Sequence, residues 1–194
     1  MPRITRTETN GTEETRADKA RTAKAPRALP LAATVLTGTV ALYIALVAFG
    51  NITDFDTNRQ YVRHVLAMDT TFHDPELMWR AITSHTVQDA AYLAIIAWEA
   101  VAATVLVVAT VLGVLGLRRG DFSAARRMAT AGLLMMLVLF GAGFLAIGGE
   151  WFAMWQSKAW NGLEAATRNF VFAGIALIVV HLPGAEGRHG DGQR

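Results

Sequence analysis

The sequence predicts an all-α protein: a four-helix transmembrane bundle with short interfacial helices in the first of its two outer loops. Three observations predict it. Four stretches are apolar enough, and almost or wholly long enough, to cross a hydrocarbon core about 30 Å thick, which takes roughly 20 helical residues. Lys and Arg are unevenly spread: seven precede the first stretch and four flank the link between the second and third, against three and two in the other loops. Four of the five Trp (Trp79, Trp151, Trp155, Trp160) lie in or beside those basic-poor loops, as an aromatic belt requires. Hydrocarbon offers no partner to peptide N–H and C=O groups, so each crossing must be helical. Positive charge favours the cytoplasmic side. Both termini and the central link are therefore expected in the cytoplasm, and the protein in the cell (inner or plasma) membrane as a multi-pass chain.

The elements follow in order. Residues 1–29, rich in Thr, Arg, Lys and Glu without a hydrophobic period, read as a disordered cytoplasmic tail. Residues 30–182 form the membrane domain, with spans at about 31–50, 88–117, 127–147 and 164–182, and residues 183–194 close the chain as a second tail. Along the first span Ala33, Thr37, Ala41 and Ala45 recur every four residues, a ladder that lets another helix approach closely. In the loop at 51–86, Gln60 to Met68 has helical spacing. Asp74-Pro75-Glu76 carries a cap, a first-turn Pro and a first-turn acid, which predicts a short helix to about Thr83. Leu66, Leu77, Met78 and Trp79 are expected to face the bilayer surface. Arg118, Arg119, Arg126 and Arg127 bracket the short link, Gly148-Gly149-Glu150 breaks the third span, and Pro183-Gly184 ends the fourth.

The second span carries the polar chemistry. At 100° per residue His85, Gln88, Tyr92 and Glu99 fall in one narrow arc with Asp89 beside it, so this face points into protein. Counted from the outer edge, Glu99 is expected close to the midplane, where an ionised carboxylate costs about 2.5–3.5 kcal/mol on insertion scales. It reads either as a neutral hydrogen-bonding acid that glues helices or as part of a proton or ion path or a cofactor pocket. A second cluster is expected where the outer loops meet: Asp54, Asn58, His64, Asp69, Glu150, Trp151, Trp155, Gln156, Asn161, Glu164 and Arg168, with a Glu150–Arg168 ion pair at one membrane level.

Several chemistries are excluded. The chain has no Cys, so disulfides, thiolate nucleophiles and Cys-held metals are absent. No H-E-x-x-H motif is present, which leaves His64, His73, His85 and Glu150 as a weak metal-ligand set. His85 and His181 sit at opposite rims and cannot share a haem iron. No cofactor is expected. Asp54, Asp56 and Asn58 begin like a calcium loop, but Arg59 stands where its Gly belongs. Asn51-Ile52-Thr53 fits an N-glycosylation sequon facing outward.

The stretches N-I-T-D-F-D-T-N (51–58), H-V-L-A-M-D-T-T-F (64–72), W-R-A-I (79–82), Y-L-A-I-I-A-W-E (92–99) and G-G-E-W-F-A-M-W-Q-S-x-x-W-N-G (148–162) resemble a bacterial family of predicted small integral membrane proteins, domain of unknown function 2165. The resemblance covers about residues 30–182 and implies four spans, with no assigned activity. Its motif positions here are Asp54, Asn58, His64, Asp69, Glu99, Glu150, Trp151, Trp155, Gln156 and Asn161.

The functional reading is a non-enzymatic accessory, assembly or binding component with a polar cap on the outer face. The alternatives are a small proton-coupled transporter or conductance using Glu99, and a metal-dependent enzyme at the outer face. Expected partners are the lipid bilayer and either another membrane protein or a second copy of the chain. Nucleic acid is not expected, since no aromatics interleave the basic residues.

Overall fold

The computed structural model describes residues 28–183. The two expected tails lie outside the described residues, apart from Ala28, Leu29 and Pro183. The first helix, α1 (Ala28–Thr53), therefore begins slightly earlier than the charge-free run suggested. Pro30 sits in its first turn, where a missing N–H breaks no internal bond. After Asp54 the chain enters α2 (Phe55–Ala67), which ends on Met68 in the left-handed region (φ 54°). The helix expected after Asp74 is only one 3-10 turn, Met78–Arg80. The cap works, since Asp74 Oδ1 accepts from the N–H of Glu76 at 2.9 Å and the Asp74 carbonyl from Leu77 and Met78. The chain then leaves the turn, and the Ile82 N–H goes to the Leu66 carbonyl at the end of α2 (2.8 Å).

Helix α3 (His85–Arg119) is the longest, about 52 Å at a rise of 1.5 Å per residue. It stops at Gly120, whose φ of +80° suits glycine and whose N–H caps the Gly116 carbonyl at 2.7 Å. Asp121 then accepts the Ser123 N–H (2.9 Å), a bond that holds its carboxyl below the usual range. Helix α4 (Ser123–Leu137) continues without a break as a π-wound stretch, Val138–Trp151. Gly148-Gly149 does not end the span as expected. Both glycines are buried within the wider winding, and the Leu163 side chain lies where a Cβ on Gly149 would be (2.9 Å). One 3-10 turn, Met154–Gln156, precedes α5 (Leu163–His181).

The four long helices are each of a length and composition that crosses a membrane. They form a ring in the order α1, α3, α4, α5 and back to α1, with α1 packed most extensively on α3 and the α1–α5 side the loosest. Close approach is made by small residues: a Cβ on Gly113 would lie 2.7 Å from Thr34 Oγ1, and one on Gly132 2.6 Å from Leu106 Cγ. The fully covered centre holds Ile44, Leu106, Leu133 and Met136, while Leu42, Leu46, Phe49, Val111, Ile175 and Ile178 stand exposed outward. An apolar outer surface on every helix is what lipid solvation requires. The first four turns of α3 stand beyond the end of α1 and carry α2, so α2 and the two loops form a cap at that end.

The cap is built by the loops packing on each other. Leu66, Leu77 and Met78 do not face the bilayer as expected. They pack on Met68, Phe152 and Ala153, while Trp79 is exposed. Met68 and Ala153 both hold left-handed backbone at a cost of about 1–2 kcal/mol each. They are buried in the same cluster, whose packing offsets that cost.

Candidate functional site

The arc predicted on α3 divides by function. Gln88, Tyr92 and Glu99 are 2, 1 and 2 % exposed, whereas His85 is exposed. The upper members hold the cap: Gln88 Nε2 donates to the Ile82 carbonyl (2.6 Å), and Asp89 accepts two bonds from the Arg63 guanidinium of α2 (2.8 and 2.7 Å). Paired forks of this kind fix orientation as well as distance. The lower members meet the end of α1. Tyr92 donates its hydroxyl hydrogen to the Asn51 carbonyl (2.8 Å), and Asn51 Nδ2 donates to Glu99 Oε2 (2.6 Å).

That contact corrects two expectations. Asn51 lies in the last turn of α1 with its amide bonded inside the bundle, so it is not an outward-facing glycan acceptor. Glu99 also lies closer to the cap, measured against α1, than a count along its own helix suggests. The register of α1 on α3 pairs Thr34 with Gly113, Gly38 with Thr110 and Asn51 with Glu99. Glu99 is thus level with the end of the charge-free run of α1, and about 28 Å along α3 from Arg118.

Below α2, Glu99 opens on a cavity of about 260 Å³ lined by residues of all four long helices and of α2. Its polar lining is Asn51, Asn58, Glu99 and Asn169; Tyr43, Tyr61, Tyr92, Phe140 and Phe144 supply rings. Asn169, 5 % exposed, has an Oδ1 with no hydrogen-bond partner among the described residues. Buried polar atoms are otherwise paired in the great majority of cases. On the far side of Glu99 the inward residues of α3 are Ala102, Ala103, Leu106 and Ala109, closed against Ile44, Leu133, Met136 and Ala173. The polar lining stops at the carboxylate.

The two cap loops converge as expected, but through different groups. The Tyr61 hydroxyl donates to Met154 Sδ (2.8 Å), and burial pushes its pKa up to about 12. Thr70 donates to Ser157 Oγ (2.8 Å), Gln156 Oε1 accepts the Phe72 N–H (2.9 Å), and His64 stacks on Trp160 with its Nδ1 on Asp69 (2.8 Å). Arg80 lies over the rings of Trp79 and Trp151. Asp54 accepts from the Thr57 hydroxyl and Asn161 from the Leu163 N–H, both as helix-start groups, while Asn58 reaches the cavity. Trp155 is exposed beside Phe72.

The structure does not bring together Glu150, Glu164 and Arg168. All three are exposed, and the expected Glu150–Arg168 pair is not formed. Ion pairs among the described residues are Arg59–Asp56 and Arg63–Asp89, and His64 meets Asp69 at 2.8 Å. Nor do His64, His73, His85 and Glu150 converge. Among the described residues no three His, Asp or Glu side chains are placed to share a metal ion. Sequence reasoning missed Asn51 and Asn169. The available signal was an Asn at or near the cap-side end of an otherwise apolar run, on the level of the one acid buried among the described residues.

No curated protein and no solved structure matches the chain. A family does, over residues 29–183, which takes in every described residue except Ala28 and so all four spans, the cap and the cavity. The chain belongs to that family, described as predicted small integral membrane protein (DUF2165).

Proposed function

We propose that this integral membrane protein is a non-enzymatic binding component of the cell membrane, with its cap outside and both termini in the cytoplasm, that holds a small ligand in the cavity beneath the cap. The observation that carries this reading is the dead end below Glu99. A pocket needs one mouth, a few oriented polar groups and an apolar wall. A conduit needs a polar route that continues, and here Leu106, Leu133 and Ile44 (each 0 % exposed) fill the way onward. The sidedness rests on the Lys and Arg distribution.

Native mass spectrometry from a mild detergent tests the reading. The wild-type chain is expected to carry a mass adduct that Val47→Phe, which fills the cavity wall, removes. A bare chain mass in both overturns it. In liposomes, a proton-coupled flux abolished by Glu99→Gln overturns it in favour of a transporter. Because the chain lacks Cys, Lys158→Cys labelled by an impermeant maleimide on intact cells, with Ser123→Cys unlabelled, checks the orientation.

A further inference from the structure

We propose that the ligand of this cavity, on the reading that it is a binding site, is a small organic cation: a protonated amine on an apolar body of about aryl size. Three features of the wall point to it. The first is charge. Glu99 is the one ionisable acid or base on the lining apart from tyrosines, with no Lys, Arg or His there. The nearby arginines of α2 are committed to Asp56 and Asp89. A carboxylate in such a place either keeps its proton or takes a cation, because an isolated charge out of water is costly.

The second feature is the balance of donors and acceptors. The Tyr61 hydroxyl hydrogen is spent on Met154, that of Tyr92 on the Asn51 carbonyl, and the Asn51 amide on Glu99 itself. Unspent on the wall among the described residues are acceptors, the rest of the Glu99 carboxylate and Asn169 Oδ1, beside the donors of the Tyr43 hydroxyl and the Asn169 amide. A ligand that suits this wall donates hydrogen bonds and carries positive charge. A hard metal ion suits it poorly, since it asks for six or more oxygen ligands and the remaining wall is aromatic and aliphatic.

The third feature is the rings. Aromatic faces are the negative part of the ring and attract a cation within about 6 Å. Tyr43, Phe140 and Phe144 line the same cavity as the carboxylate. The volume, about 260 Å³, exceeds the roughly 150 Å³ of an apolar cavity that takes benzene. It therefore admits an aryl ring with a short amine arm.

Isothermal titration of the full chain in mild detergent, with benzylamine and its uncharged counterpart benzyl alcohol, tests this. Benzylamine is expected to bind saturably at one site, about tenfold or more tighter than benzyl alcohol, a margin of about 1.4 kcal/mol. Glu99→Gln should erase that preference and Glu99→Asp should keep part of it. If Glu99→Gln fails to fold, Phe144→Leu carries the test: benzylamine affinity falls several-fold while benzyl alcohol is unmoved. Equal binding of the two compounds, both lost in Val47→Phe, overturns the cation and leaves the binding site standing. Saturable binding of neither at millimolar concentration also overturns it. The native mass spectra separate the two proposals: an adduct with no saturable binding of either compound overturns the cation alone, and a bare chain that binds neither compound overturns the binding site as well.

Discussion

Replacing Gly162 by Ala measures how firmly the second loop is keyed to α2. A Cβ built at Gly162 overlaps the Tyr61 hydroxyl oxygen and lies 3.0 Å from Tyr61 Cζ. The Gly162 backbone (φ −100°, ψ 9°) is open to alanine, so conformational strain adds nothing. Tyr61 cannot swing freely, because its hydroxyl is on Met154 and its ring stands edge-on to Trp160 at 6.3 Å. Forcing one methyl into such packing costs about 1–3 kcal/mol. For a chain of this size that lowers Tm by roughly 2–12 °C, at about 2–4 °C per kcal/mol. Tyr61→Phe alone loses one hydrogen bond to sulfur, about 1 kcal/mol or less. The double variant removes the clashing oxygen and should be more stable than the sum of the singles by about 1 kcal/mol. Thermal unfolding followed by Trp fluorescence reads all four proteins. Strictly additive losses, or a neutral Gly162→Ala, refute the packing argument.

Three further outcomes are expected. The Tyr61 hydroxyl ionises at about 12 in the fold against about 10 unfolded. Its contribution is thus fully present below pH 10 and lost as pH rises from there through 12; a melting-temperature profile should fall over that window and flatten in Tyr61→Phe. Gly132→Ala drives a Cβ to 2.6 and 2.7 Å from Cγ and Cδ2 of Leu106. It should destabilise the α3–α4 contact by about 1–3 kcal/mol in chemical unfolding, and an unchanged midpoint would refute the close approach. Expressed in a host that glycosylates Asn-x-Thr sites, the chain should show no glycosidase-sensitive mass at Asn51, and a glycan there would refute its bond to Glu99.

The spans were legible because charge-free runs ended by Arg, Gly or Pro have one physical outcome in lipid. The inward placing of Gln88, Tyr92 and Glu99 was legible because 100° arithmetic on a regular helix is reliable over four turns. The same arithmetic gives level and azimuth on one helix but not the sliding of two helices along each other. That is why the depth of Glu99 was misjudged: it depends on where Asn51 falls, and α3 overshoots α1. Glu150 and Arg168 failed as a pair for a related reason. Glu150 ends a π-wound stretch, where residues turn through a smaller angle, and nothing in its glycine-rich sequence announces that winding. The helix after Asp74 was lost to a tertiary bond, Ile82 to Leu66, that no local signal contains.

The long overhang of α3 has a consequence for how anything reaches Glu99. The roof of the chamber, α2, is clasped to α3 by Arg63 and Asp89, and the acid at its floor belongs to the same helix. Roof and floor ride on one rod, so the roof does not lift away from the floor while that clasp holds. The loosest wall of the ring lies between α1 and α5, where Tyr43 meets Phe172 edge to face at 6.3 Å. On the proposed reading, opening the cavity wider is then a matter of parting α1 from α5 and leaves the clasp of α2 on α3 in place.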